Sequence, residues 1–467
     1  IVDHCKISQK FIKLPRFYLS LLIMVEFGYQ VLADADVAVY HHKLDIHEVM
    51  NTIAQHEEAQ KSDEAFLVIN LSYLYDRYQE WKKKLPRIQP YYAIKSNSDP
   101  VMTKFLADMG CGFDCASKKE MNEAVLEGMV EPDRVIYANP VKHRNYIKHA
   151  ERIGIRKMTF DNEEELLKVK QYHRNPEMVL RIRVDDPTAG NVLGIKFGCD
   201  PPIEKGTELL KKAKEIGVPV VGIAFHVGTM CNDPKAYREG LSDARKLFDI
   251  GTELGHELRI VDIGGGFPGQ ELPGKITFDE MIDVIEPALK EFFPEKQYPN
   301  LEITAEPGRF FSTEPVFVVV HVIGVTKVPA SRITKKESDN TKIGYMYYVN
   351  DGIYGSFNMI AFHDLHPKGK ALQTPGGQVN GSTSNYEKKG EETYPSIIWG
   401  PTCDGTDKIE ENTQMPKLTI DDWIYYPHMG AYTTVAASQF NGFNAPRPYY
   451  IIGSNAWESL YGKDQEA

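Results

Sequence analysis

An α/β fold, a (β/α)8 barrel of the TIM type followed by a C-terminal all-β domain, is what the sequence predicts, on three observations. From about residue 88, short β-rich runs alternate with longer helical patterns. The runs number eight. After about Thr313 the helical patterns give way to strand-like stretches separated by Gly, Pro and Asp turns.

The eight runs are residues 91–95, 112–115, 135–139, 158–161, 178–184, 220–227, 260–264 and 301–306. Amphipathic segments at 120–128, 163–172, 208–216, 236–254 and 278–292 lie between them. Eight β-then-α units over about 220 residues match a barrel in count and length. An open doubly wound sheet is the runner-up, but it would show fewer strands and a different cofactor signature. In the second half, residues 315–326, 344–349, 397–399 and 421–426 read as strands, and 367–395 as a surface loop. Residues 37–40 are a short strand candidate ahead of the barrel. The expected division is therefore an N-terminal extension at 1–32, a barrel at 66–313, and a β domain made of 33–65 and 314–467.

A chain of 467 residues is too long for one small core. Its net charge of −11 disfavours nucleic acid, which needs a concentrated basic face. Basic runs such as Lys82-Lys83-Lys84 and Lys335-Lys336 read as solvated surface. The six cysteines are scattered: Cys111 and Cys115 lack the second pair a zinc site needs, and no disulfide framework is visible. No metal is expected, and a reduced, cytoplasmic chain fits. The apolar run 17–25 is far shorter than the ~20 residues a membrane span needs. Met24 is the expected start of translation, with residues 1–23 an upstream extension. The alternative is a signal peptide ending at Ala33-Asp34-Ala35.

Chemistry in such a barrel gathers at the C-terminal ends of the strands. Those ends carry Lys95, Asp114, Arg181, His226, the run Gly264-Gly265-Gly266, and Glu306-Pro307-Gly308-Arg309. Gly264, Gly266 and Gly269 also fit a dinucleotide fingerprint, but Pro268 and the stretch after it do not open the helix that fingerprint requires. The glycines suit a phosphate instead, at the usual barrel position after strands seven and eight, with Arg309 as its clamp. Lys95, flanked by Tyr91-Tyr92-Ala93-Ile94, suggests a desolvated amine of lowered pKa fit for Schiff-base chemistry. Glu306 has the character needed to keep a pyridoxal 5′-phosphate ring nitrogen protonated, and His226 could stack on the ring.

Taken together, Tyr91–Lys95, Gly112-Phe113-Asp114-Cys115-Ala116-Ser117, Phe225-His226-Val227-Gly228, Asp262–Pro268 and Glu306–Arg309 resemble the eukaryotic ornithine decarboxylase family. Trp399–Gly405 and Gly430-Ala431-Tyr432-Thr433 continue the match, which runs in order from about residue 33 to 460. The resemblance implies a pyridoxal 5′-phosphate barrel plus β domain, in a homodimer with shared active sites, converting L-ornithine to putrescine and CO2. By it, Lys95 carries the cofactor, His226 stacks on it, and Thr229, Gly266, Glu306–Arg309 and Tyr432 bind it. Asp114, Arg181 and Gly265 complete the cofactor-binding set. Cys403 would return a proton to the substrate carbon, and Cys403 and Asp404 would reach in from the partner subunit. Tyr354 and Asp404 fall on the substrate side.

The sequence departs from the family pattern at two places. The turn His226-Val227-Gly228-Thr229-Met230 keeps a hydroxyl at Thr229, but Met230 replaces a glycine, so weaker cofactor binding is expected. Where the family places Tyr-Asp, this chain has Phe362 and His363, with Asp364 one residue late. A carboxylate about 4 Å from an ammonium is worth roughly 4 kcal/mol at an effective dielectric near 20, before desolvation. A histidine, mostly neutral at pH 7, does not supply that. Two alternatives follow: a decarboxylase acting on lysine or another amino acid, and a catalytically weak regulator that binds antizyme. Residues 143–170 resemble the family's antizyme-binding surface. With the sequence ending ten residues after Trp457, rapid turnover driven by a C-terminal tail is not expected.

Overall fold

The structure is a computed structural model, and it describes residues 27–41, 43, 45–363, 365–372 and 392–462. The expectations for residues 1–26 and for Asp364 lie outside the described residues. Eight parallel strands close a barrel in chain order: Ile88–Ala93, Gly112–Cys115, Val135–Tyr137, Lys157–Phe160, Glu177–Arg181, Val220–Ala224, Ile260–Asp262 and Glu302–Ala305. Alternation along them separates two cores. Tyr92, Phe113, Tyr137, Leu180 and Val261 face the helices, while Tyr91, Ile136, Val179, Val221 and Ile260 fill the barrel interior. The same period aims Asp114, Arg181 and Asp262 inward at the C-terminal mouth.

Five helices fall where the pattern predicts them, with one interruption. The helix Phe278–Phe292 starts with Thr277 and Glu280 capping each other's backbone N–H groups. The segment expected at 120–128 is a short α-helix, Lys118–Met121, running into a π-helical turn at Asn122–Leu126. Among the described residues no helix is long and apolar enough to cross a membrane.

The remaining strands form one ten-stranded, mostly antiparallel sheet. It includes Ala35–Tyr40, Val316–Pro329, Ile343–Val349, Thr393–Trp399 and Trp423–Tyr426, all near expected positions. Three of these strands fall where the sequence suggests otherwise. Phe27–Leu32, inside the expected extension, pairs with Ala35–Tyr40. Phe66–Asn70, allotted to the barrel segment, lies between Val316–Pro329 and Arg447–Gly453. Its five residues are all buried, and a short apolar run reads alike in either sheet. Arg447–Gly453 tolerates Pro448 because pairing to Ala35–Tyr40 begins only at Tyr450. Within the expected loop 367–395, Lys370–Leu372 forms a strand that pairs with Trp423–Tyr426.

Candidate active site

The barrel mouth gathers five charged groups from different strand ends. Lys95 sits in the 3-10 turn Ile94–Ser96, directly after the first strand, and its ammonium donates to the buried carboxylate of Asp114. This corrects the expectation of a lowered pKa. Burial does oppose the charge on Lys95, but the carboxylates of Asp114 and Glu306 outweigh it and raise the pKa. Glu306 follows the eighth strand, and its backbone N–H donates to the Gly264 carbonyl at 2.7 Å. Burial, reinforced by Asp262 and Asp114, pushes its carboxyl well above the usual range. Burial also lifts Asp262 to about 6, against the pull of the Gly264 N–H. Asp262 and Glu306, facing Lys95 and Arg181, therefore both ionise less readily than free carboxyls.

The other walls are backbone and ring. His226 accepts the Gly228 N–H on Nδ1 at 3.0 Å, which leaves the proton of the neutral ring on Nε2. Burial, with Arg181 and Lys95 adding to it, keeps that ring neutral. Gly265 is required by closeness: a Cβ there would meet the Glu306 carbonyl at 2.8 Å and His226 Nε2 at 2.9 Å. Gly308 packs equally tightly on Ser96, whose carbonyl accepts the Tyr432 N–H at 2.8 Å. That contact brings the β domain to the lysine turn.

Arg309 tests whether a phosphorylated cofactor fits. It is buried, its guanidinium lies 4.6 Å from the Tyr432 ring centre, and its Nε and Nη2 have no hydrogen-bond partner among the described residues. Burial lowers its pKa. Unpaired cationic donors of this kind call for an anion. With an amine, an acid able to meet a ring nitrogen, and a glycine-lined wall nearby, the residues fit pyridoxal 5′-phosphate.

Of the expected site residues, Lys95, Asp114, Arg181, His226, Gly265, Glu306, Gly308, Arg309 and Tyr432 lie together. Gly266, in the left-handed region at φ 116°, and Thr229 edge this group; Met230, at φ 53°, occupies a conformation that favours glycine. His363 joins it from the β domain: its ring centre is 5.5 Å from that of Tyr432, and burial, then Arg309, lower its pKa. Phe362 points to solvent, 70 % exposed.

Cys403, Asp404 and Tyr354 do not join this group within the chain. Among the described residues, no hydrogen bond, ion pair or ring contact links them to Lys95 or Arg309. The Tyr354 hydroxyl donates to Asp404, which keeps that carboxyl below its usual range. Exposed Cys403 and half-buried Asp404 open instead into a cleft of about 510 Å³ with Ile323, Tyr348 and Trp399. Sequence reading missed the acids behind these loops. Buried Asp407 accepts the N–H groups of Ile353 and Thr402, Asp351 accepts those of Gly352 and Ser356, and at the barrel mouth Asp262 and Glu120 sit within the charge field of Asp114. Only their place next to motif residues could have flagged them.

Fold and site together define a pyridoxal-binding barrel enzyme. A family model described as the pyridoxal-binding domain of pyridoxal-dependent decarboxylases matches residues 71–313. A curated ornithine decarboxylase of Panagrellus redivivus is 46% identical over 94% of this chain and 97% of its own. An antizyme inhibitor 2 of Xenopus laevis is 42% identical, over 88% of this chain and 86% of its own. The solved arginine decarboxylase of Paramecium bursaria Chlorella virus superposes with a TM-score of 0.76 at 35% identity, covering 87% of this chain and all of that one. The chain belongs to the pyridoxal-dependent decarboxylases.

Proposed function

We propose that this protein decarboxylates L-ornithine to putrescine and CO2 as a cytoplasmic homodimer. The observation that carries the reading is the pairing of Lys95 with Asp114 opposite the buried carboxyl of Glu306, with the Arg309 guanidinium, whose Nε and Nη2 are unpartnered among the described residues, beside them. Similarity to ornithine decarboxylases over nearly the whole chain supports the substrate.

Pyridoxal 5′-phosphate, when bound, supplies the electron sink that lets the bond between Cα and the carboxyl group break. Lys95, its amine held at the barrel mouth by Asp114, would anchor the cofactor through its aldehyde. Glu306 would face the ring nitrogen and keep a proton there, and neutral His226 offers an uncharged ring face that does not compete for that proton. Arg309, Thr229, Gly265, Gly266, Gly308 and Tyr432 would hold the phosphate side, and Arg181 would add positive charge near Glu306. Cys403 and Asp404, facing outward in one chain, serve the partner's site. Cys403 returns a proton to Cα after CO2 leaves, and Asp404, oriented by Tyr354, takes the distal ammonium. A molar mass in solution of twice 52.9 kDa checks the dimer.

CO2 release from ornithine, lysine and arginine with added cofactor tests the activity. Fastest turnover of ornithine is expected. Preference for lysine would make Phe362, His363 and Asp364 the determinants of a changed specificity. A folded, cofactor-loaded protein silent on all three would replace the enzyme by an antizyme-binding regulator, the reading that similarity to an antizyme inhibitor favours.

A further inference from the structure

Asp186 is a buried carboxylate with no cation paired to it among the described residues. It lies five residues beyond the strand Glu177–Arg181 and is fully inaccessible to solvent. Arg183, three residues earlier, pairs with Asp185 and Asp200 instead, and among the described residues no ion pair reaches Asp186. Its charge rests on donors. One oxygen accepts the Thr188 N–H at 2.7 Å and hydroxyl at 2.6 Å; the other accepts the N–H groups of Asn232 at 2.6 Å and Asp233 at 2.9 Å. Burial works to raise its pKa, and these bonds overcome it, holding the carboxyl at about 2.

The donors belong to two loops, those after the fifth and sixth barrel strands. The Asp186 N–H itself donates to Val227, and Asn232 returns a side-chain bond to the Thr188 carbonyl at 2.6 Å. Asn191 and Thr229 exchange backbone bonds at 2.9 and 3.2 Å, and the Gly190 N–H donates to Met230. Between these ties the turn Gly228-Thr229-Met230 is held with φ of 114° at Gly228 and 53° at Met230. A methionine does not keep that conformation unless its surroundings impose it. The clasp continues into the glycine wall, because the Cys231 N–H donates to Gly266 at 3.1 Å and the Tyr237 hydroxyl to Gly265 at 2.9 Å.

We propose that Asp186 is a positioning residue for the cofactor's phosphate, gathering two loops so that the Gly228–Met230 turn faces the Gly265-Gly266 wall at fixed separation. Asp186 does not touch the cofactor; it acts through the backbone of that turn. The inference rests on the pyridoxal reading above and assigns the clasp to one half of that site.

The test is cofactor titration of the purified full chain by its visible absorbance, for wild type, Asp186→Asn and Thr188→Val. The asparagine turns an amide NH2 toward N–H donors, so its cofactor Kd is expected to rise about 10- to 100-fold. At saturating cofactor, kcat and KM for ornithine should stay within about twofold, because the chemical groups are untouched. Amide exchange at 229–233 should quicken. Thr188→Val removes one hydroxyl and should raise the cofactor Kd about threefold. A folded Asp186→Asn with unchanged Kd overturns the proposal, as does one whose kcat stays low at saturation. Should Asp186→Asn not fold, an unchanged Kd in Thr188→Val overturns it. Wild type that binds no cofactor at all would defeat the decarboxylase reading, a different result from tight binding that Asp186→Asn leaves intact.

Discussion

Without its anion, Arg309 is a burden on the folded protein, so Arg309→Met is expected to stabilise the cofactor-free form while crippling cofactor binding. Nε and Nη2 are buried without partners among the described residues, and each orphaned donor costs about 1–3 kcal/mol. The guanidinium lies 4.6 Å from the Tyr432 ring centre, which returns about 0.5–2 kcal/mol. Methionine fills similar volume with no donor to satisfy, so the cofactor-free variant should gain about 1–4 kcal/mol. Two charge-assisted bonds to phosphate, at about 1.5–3 kcal/mol each, are lost from binding. That is about 3–6 kcal/mol, on the order of 10²- to 10⁴-fold in Kd. Urea unfolding of both proteins after removal of cofactor measures the first quantity, and absorbance titration the second. A cofactor-free variant less stable than wild type by 1 kcal/mol or more (roughly one hydrogen bond) would refute the reasoning, because it would mean the guanidinium is already satisfied.

Three further outcomes are expected. His363→Asp should raise kcat/KM for ornithine at least about tenfold: a carboxylate some 4 Å from the ammonium gives roughly 4 kcal/mol before desolvation, and Arg309 nearby consumes part of it; no gain would show that Asp404 already suffices. Met230→Gly should tighten cofactor binding and raise stability by about 1 kcal/mol, since it relieves a φ of 53°; a melting curve and a cofactor titration check both. Asp351 is buried and raised from 3.8 to about 6, so the folded protein holds a proton that the unfolded chain releases above pH 4. Its contribution is therefore lost as pH rises from about 4 to 6, by roughly 3 kcal/mol. Urea midpoints of Asp351→Asn should lack that decline, and parallel profiles would contradict it.

The barrel was legible because its period was. Helix 278–292 falls where the pattern predicts, since a capping box and an apolar stripe agree there. Strand ends were less so: the run expected to reach Val227 stops at Ala224, because residues beyond it turn into the site. Lys95 and Asp114 were each visible as strand-end residues, but 19 positions apart, and their pairing reverses the direction of the lysine's pKa. Burial of one group is readable from its flanks; the charge that answers it comes from another strand. Asp186 was hidden for a similar reason, as an Asp-Asp-Pro stretch reads as an exposed turn until the loop carrying its donors is in place. Cys403 came from the family likeness alone, and in one chain it faces a cleft rather than Lys95.

The sheet is assembled from both ends of the barrel's sequence. Arg447–Gly453 lies between Ala35–Tyr40 and Phe66–Asn70, strands made nearly 400 residues earlier. During synthesis the barrel strands leave the ribosome complete and in neighbouring order, and can close among themselves. The two early segments meanwhile present bare strand edges until the last strand is translated, at roughly 5–20 residues per second. This gives a window of tens of seconds in which the nascent protein is half finished and open to pairing with other chains. Rare codons or premature termination late in the message would thus do more harm than a truncated surface loop, and chaperone demand should concentrate on those waiting strands.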